Sequence, residues 1–215
     1  MSHSVRPAIL VLALSLLCTL QVSAQSGGPL IGFHLGGSVA TLSGDDLPDF
    51  TSKMGLKAGA SAAFPVSGNI RVHTGLSYAE KGTKLADSDF DEALSIDYIE
   101  LPVLLRYNVP VAGAVAPHFM LGPAIAFQIG CEFTEEFEGE SGSFDCEDEG
   151  LEAASVDVGV MAGAGIAYAV SGPMAVTLQI LYNFGFTNID SAEDADDIVN
   201  RAWSFLLGIE FPILR

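Results

Sequence analysis

The chain has 215 residues, with 27 Asp and Glu against nine Lys and Arg, for a formal charge of −18. Acidity of this degree excludes nucleic acid as a partner, because its phosphates would be repelled. Although 49% of the residues are hydrophobic, no stretch beyond the leader reaches the roughly 18 uninterrupted apolar residues that a transmembrane helix needs.

The first segment is a leader rather than part of the fold. Arg6 gives a short positive start, Ala8 to Leu20 is apolar, and Val22-Ser23-Ala24 forms a small-residue cleavage site, which together predict a signal peptide over residues 1–24. A lipoprotein signal using Cys18 is the alternative, although Leu17 before it is not small. Residues 25–215 then form one exported domain. They keep two cysteines, Cys131 and Cys146. An oxidising compartment favours a disulfide between them over two free thiols.

Eight strand-like runs follow: Ile31–Leu42, Lys53–Val66, Ile70–Gly82, Ser95–Val109, Ala116–Gly130, Ala154–Val170, Met174–Thr187 and Val199–Ile213. Each alternates in polarity and is rich in Gly and in β-branched and aromatic residues. In the fourth, Ile99, Leu101, Val103, Leu105, Tyr107 and Val109 share one face, while Tyr98, Glu100, Pro102, Leu104, Arg106 and Asn108 share the other. A tilted transmembrane strand needs about 9–11 residues, and this run is long enough.

The connections alternate in length. Residues 43–52, 83–94, 131–153 and 188–198 are long; residues 67–69, 110–115 and 171–173 are short and carry turn residues such as Gly68 and Gly172. The long connections hold 22 of the 27 acidic residues, and the short ones hold none. An even number of strands with short turns on one rim and long loops on the other is the layout of an outer-membrane barrel. The fold class predicted is therefore all-β: an eight-stranded antiparallel up-and-down transmembrane β-barrel.

Alternation by itself leaves open which face points inward. One set holds residues such as Leu178, Ile180, Phe205 and Leu207; the other holds Lys57, Arg71, His73, Lys81, Glu100, Arg106, His118, Gln128, Asp157, Gln179, Asn183 and Glu210. The apolar set would line the interior of a soluble ligand-binding barrel and the exterior of a membrane barrel. Aromatic placement favours the membrane. Phe33, Phe64, Tyr107, Phe119, Tyr168 and Phe211 fall near one rim, and Tyr78, Phe127, Tyr182, Phe184, Phe186 and Trp203 near the other, as two interfacial girdles would.

Three segments carry a family likeness: Gly75-Leu76-Ser77-Tyr78-Ala79-Glu80-Lys81-Gly82, then Asp97-Tyr98-Ile99-Glu100-Leu101-Pro102-Val103-Leu104-Leu105-Arg106-Tyr107, then Leu121-Gly122-Pro123. With the Gly-rich opening at Gly32, Gly36 and Gly37, they resemble the PorT-like outer-membrane β-barrel family over nearly the whole mature chain. The resemblance implies the barrel fold and an outer-membrane location. It also implies an accessory role in protein secretion, to which the founding member is linked. One departure is the C-terminus, where Phe211 is followed by Pro212-Ile213-Leu214-Arg215 instead of ending on an aromatic residue.

The chemistry-bearing candidates are few. Lys57, Arg71, His73, Lys81, Glu100, Arg106, Asp157 and Glu210 form an expected polar network in the lumen. Glu100 and Arg106, six residues apart on one strand, stand about 20 Å from each other and cannot pair; Arg71, His73 and Lys81 are the expected partners around Glu100. Such a network either plugs the lumen or lines a narrow pore. Asp194, Asp196 and Asp197 are weak Ca²⁺ candidates without the residue order of an EF-hand, and no other metal is expected. Neither a G-x-S-x-G elbow nor H-E-x-x-H occurs, and His34, His73 and His118 read as network members. No catalytic residue, cofactor or enzyme activity is expected. The expected role is structural or interactive, with the acidic loops displayed outside the cell, and a narrow pore for ions or small solutes is the alternative. The expected partners are outer-membrane lipid and another envelope or secreted protein, with the barrel a monomer.

Overall fold

The computed structural model describes residues 28–44, 51–86, 91–137, 140–146, 154–171, 174–189 and 198–213. The signal peptide expected over residues 1–24 therefore lies outside the described residues, as do Asp194, Asp196 and Asp197. The described chain forms nine strands: β1 Leu30–Ser43, β2 Thr51–Ser67, β3 Ile70–Ala86, β4 Asp91–Asn108, β5 Val115–Phe137, β6 Glu140–Asp145, β7 Val156–Ser171, β8 Met174–Gly185 and β9 Val199–Pro212. Eight of them close into a ring in the order β1-β2-β3-β4-β5-β7-β8-β9, and β9 returns to β1 through fourteen antiparallel pairs from Leu30↔Pro212 to Ser43↔Val199. The eight-stranded antiparallel barrel is thus present. The ninth strand, β6, is an addition to the sequence reading: a short strand hydrogen-bonded to the far end of β5.

The differences in length lie at the long-loop rim. β5 runs 23 residues, to Phe137, where the sequence predicts a strand ending at Gly130 and a loop beyond. Within the extension Glu132 and Glu135 stand exposed, so composition there reads as loop. β3 and β4 likewise extend to Ala86 and from Asp91. The short turn between β2 and β3 behaves as expected, whereas Gly172 and Pro173 lie outside the described residues. Gly68, at φ +51°, supplies the left-handed residue between β2 and β3 that a side chain would disfavour. Pro29 accepts a bond from Ile213 at that same rim, so both described ends meet there.

The pleat sorts the residues into two faces. Along β9, Leu207 is 60% exposed and its neighbour Leu206 is 2% exposed. Val103, Leu178 and Phe205 all point outward, while Lys57, Lys81, Glu100, Arg106, Asp157 and Glu210 are buried. This orientation removes the soluble ligand-binding barrel as a reading: an apolar exterior that encircles the molecule far exceeds the few hundred Å² a soluble surface tolerates. Exposed Phe33, Phe64, Tyr107, Phe119 and Tyr168 approach the short-turn rim, and Phe127, Phe184, Phe186 and Trp203 the other. Tyr182 packs on Trp203 with ring centroids 4.7 Å apart. The outer face therefore meets hydrocarbon between two aromatic belts.

Phe205→Arg, which places a cation on the lipid face midway along β9, is expected to destabilise the barrel by about 2–4 kcal/mol. Urea titration of the protein refolded into phosphatidylcholine vesicles measures the loss.

Candidate functional site

The inward side chains of β4 pass in order through every layer of the lumen. From the short-turn rim they are Asn108, Arg106, Leu104, Pro102, Glu100, Tyr98, Ile96 and Leu94. Arg106 heads the first layer. It is 2% exposed, and its Nε donates to Asn108 Oδ1 at 3.1 Å, its terminal nitrogen pairs with Glu210 Oε1 at 2.5 Å, and its other nitrogen lies 3.4 Å from His118 Nδ1. β4 and β9 stand four places apart in the ring of eight, so the Arg106–Glu210 pair spans the lumen. Arg71 donates to the Gly28 carbonyl at 3.2 Å. With Asn69, Arg106, Asn108 and Glu210 it lines a vestibule of about 260 Å³ that opens on the short-turn rim.

The second layer is apolar. Leu104, Met120, Ala124, Met161, Leu181 and Leu206, from β4, β5, β7, β8 and β9, pack together as a buried collar. The inner wall is cut to fit the side chains it faces. A methyl group at Gly163 would lie 2.5 Å from Leu181 Cδ2, and one at Gly165 would lie 2.6 Å from His118 Nε2. Small residues beside large ones let a narrow barrel fill its own interior.

The third layer is ionic. Glu100, 1% exposed, accepts from Lys57 through Oε2 and pairs with Lys81 through Oε1 at 2.8 Å. Lys81 also lies 3.5 Å from Asp157 Oδ2 and 4.9 Å from the centre of the Tyr98 ring. Asn200 Nδ2 joins the group, at 3.0 Å from Asp157 Oδ2 and 3.2 Å from Tyr98 Oη. Two ammonium groups and two carboxylates cancel, which is the condition under which charge can be enclosed. Nearby, His34 Nε2 and Ser77 Oγ are hydrogen-bonded at 2.9 Å. The fourth layer is an apolar cap of Leu42, Ile96, Tyr98, Ala126 and Ile189, joined by Leu94, Cys131 and Ile198. Cys131 and Cys146 are disulfide-bonded with Cα atoms 5.5 Å apart.

The sequence-derived network thus divides into two clusters. Lys57, Lys81, Glu100 and Asp157 come together, Arg106 and Glu210 come together near Arg71, and Leu104 separates the two groups along β4. Of the partners expected around Glu100, only Lys81 is there. Arg71 lies toward the vestibule, and His73 is paired in the ladder with Leu104. Lys57 takes their place from two strands away. The intervening ladder residue is Ala79, paired with both Lys57 and Tyr98, and its small side chain leaves the path open. Sequence reasoning also missed Tyr98, Asn200 and the collar. The available signal for the collar was Leu104, Leu181 and Leu206 standing at inward positions in an otherwise polar series. Among the described residues, no group of three or more His, Cys, Asp or Glu converges to hold a metal ion.

Glu100→Gln leaves Lys57 and Lys81 enclosed with one carboxylate between them and is expected to cost about 3–5 kcal/mol. Replacing the pair together, Lys57→Met with Glu100→Leu, keeps Lys81 beside Asp157 and is expected to recover most of that loss. Chemical unfolding of the two variants and the unaltered protein in detergent micelles gives the comparison.

The sequence matches the family described as outer membrane protein beta-barrel domain over residues 23–191. The fold is similar to that of the outer membrane protein OprG from Pseudomonas aeruginosa, with a TM-score of 0.53 and 13% identity over 88% of this chain and 98% of that one. Neisserial surface protein A (TM-score 0.49, 16% identity, 87% and 98% covered) and the outer membrane protein W of E. coli (TM-score 0.46, 12% identity, 88% and 100% covered) are also similar. No curated protein matches the chain in sequence. The family match takes in seven of the eight barrel strands, and the OprG likeness extends to the closed ring; the chain belongs to the outer membrane protein beta-barrel domain family.

Proposed function

We propose that this protein is a non-conducting outer-membrane barrel whose interior serves as its structural core, and whose working surface is the acidic long-loop rim. It sits in outer-membrane lipid as a monomer, with the short turns toward the periplasm and the long loops outside, the arrangement general to such barrels. The reading is carried by the layered lumen: the Arg106–Glu210 pair across the axis, the collar of Leu104, Met120, Met161, Leu181 and Leu206, and the neutral cluster about Glu100, stacked one above another. A pore for ions would need a continuous wet path, and an apolar constriction of this kind resists wetting. Steady conduction is thereby disfavoured. The His34–Ser77 pair stands within the barrel beside the Glu100 cluster, which fits a place in the packed interior better than a catalytic role.

The acidic rim then supplies the interaction surface. Within that frame, the likeness of the Tyr98, Glu100 and Pro102 strand and its neighbours to the PorT-like family supports an accessory role in protein secretion, with an envelope or secreted protein as the partner. The signal peptide over residues 1–24 supplies the export route.

Planar-bilayer recording of the purified barrel tests the central claim. The expected trace is silent at moderate voltage and salt, and steady unitary steps would overturn the closed lumen in favour of a pore.

A further inference from the structure

The sheet continues past the point where the barrel closes. Beyond Ile96, β3 and β4 stay in register to Ala86↔Asp91, and β4 and β5 to Asp91↔Glu136. β6 then adds to β5, from Glu132↔Asp145 to Phe137↔Glu140. These strands form a wall that projects from the long-loop rim. Among the described residues β6 pairs with β5 alone, and its other side is an edge that none of them covers. Cys146 N–H donates to the Cys131 carbonyl. Bonded and non-bonded positions alternate along an antiparallel ladder, so the backbone groups of Ser143 and Asp145 face away from β5. The Cys131–Cys146 disulfide ties this hairpin to the rim, so little ordering remains to be done on binding.

The two faces of the wall differ. Leu94, Phe133 and Phe144 form one row across β4, β5 and β6, and Phe144 is 43% exposed. The adjacent row, on the opposite face, is Ser95, Glu132 and Asp145. Residues 131–153 hold ten acids and no Lys or Arg. Natural edges are usually blunted by Lys, Pro or a bulge, and β6, Glu-Ser-Gly-Ser-Phe-Asp, has no Lys or Pro. What guards it is charge. A second copy of this chain would set acids against acids, which is unfavourable directly across strands.

We infer that β6 is a docking edge for an extended segment of another exported protein, one whose residues alternate apolar and basic. Such a segment adds a strand to the wall by β-augmentation. Its backbone bonds to Ser143 and Asp145, its apolar residues extend the Phe133–Phe144 row, and its basic residues meet Glu132 and Asp145. The inference rests on the acidic rim being the working surface, and it specifies the partner's chemistry.

The test uses the full protein in detergent micelles and a peptide of about ten residues alternating valine and lysine, somewhat longer than a typical strand. A second peptide of the same composition, with its valines and lysines in separate blocks, is the control. The alternating peptide is expected to bind at least about tenfold more tightly, because only alternation suits both faces of an added strand. The Ser143 and Asp145 amides, exchanging freely beforehand, become protected in its presence. Ser143→Pro removes an outward donor without touching the pairing to β5 and is expected to weaken binding about three- to tenfold. Equal affinity for the two peptides, or no binding, overturns the inference. So does protection of the Ser143 amide before peptide is added, which would mean that the chain's own residues 147–153 hold the edge. Recordings on the same preparation separate this result from the closed-lumen reading, since unitary conductance there speaks against that reading whichever peptide binds.

Discussion

The constraint from which the rest follows is the pairing of β1 with β9. In hydrocarbon no water is available to satisfy a backbone N–H or C=O, so a sheet that spans the bilayer must close on itself. The chain meets this with fourteen registered pairs between its first and last strands. A ring of eight strands is the immediate consequence, and a ring of eight is just wide enough for its own side chains. Large inward residues must therefore face small ones, as Leu181 faces Gly163 and His118 faces Gly165. An ionic residue inside such a ring has no water to turn to and must find its counter-ion across the lumen or beside it.

That geometry decides which parts of the fold could be read from the residues. The period-2 alternation is a property of each strand alone, so the eight strands, their order and the two faces were legible. The pairing of ions is a property of the closed ring. Glu210 reaches Arg106 from the opposite wall, and Lys57 reaches Glu100 over Ala79, and neither relation leaves a trace in local spacing. Lys81 was found because β3 and β4 are consecutive in sequence as well as in space. β6 was missed for a different reason. Its residues are short, polar and glycine-containing, and they become a strand because β5 continues beside them and the Cys131–Cys146 link holds them in place.

The β2–β3 seam shows how the barrel handles a flaw in its own ladder. Pairing is interrupted between Ser52↔Thr83 and Lys57↔Ala79, where four residues of β2 face three of β3. An extra residue of this kind leaves backbone groups without ladder partners. Glu80 supplies the missing acceptors. Its carboxylate takes the Leu56 N–H at 3.4 Å and the Lys53 ammonium, while Ser38 Oγ donates to its backbone carbonyl at 2.5 Å. In the same stretch Gly82 sits at φ +135°, so close to the Leu94 carbonyl that no side chain would fit. The Glu80-Lys81-Gly82 segment thus does three jobs in succession: Glu80 mends the seam, Lys81 joins the ionic cluster inside, and Gly82 lets β4 come close.

The two rims are unlike because different forces act on them. At the short-turn end the chain turns in the fewest residues and the vestibule keeps both signs of charge, with Arg71 and Arg106 beside Glu210. At the other end the strands run on past the ring, the apolar cap about Ile96 and Ile189 closes the interior beneath them, and Glu132, Glu135 and Asp145 stand exposed beyond it. The cap makes that separation possible. Without it, the carboxylates of the rim would share a wet lumen with Lys57 and Lys81 and compete with Glu100 and Asp157 for them. With Leu42, Ile96, Ala126 and Ile189 in between, Lys57 and Lys81 keep Glu100 and Asp157 as their partners.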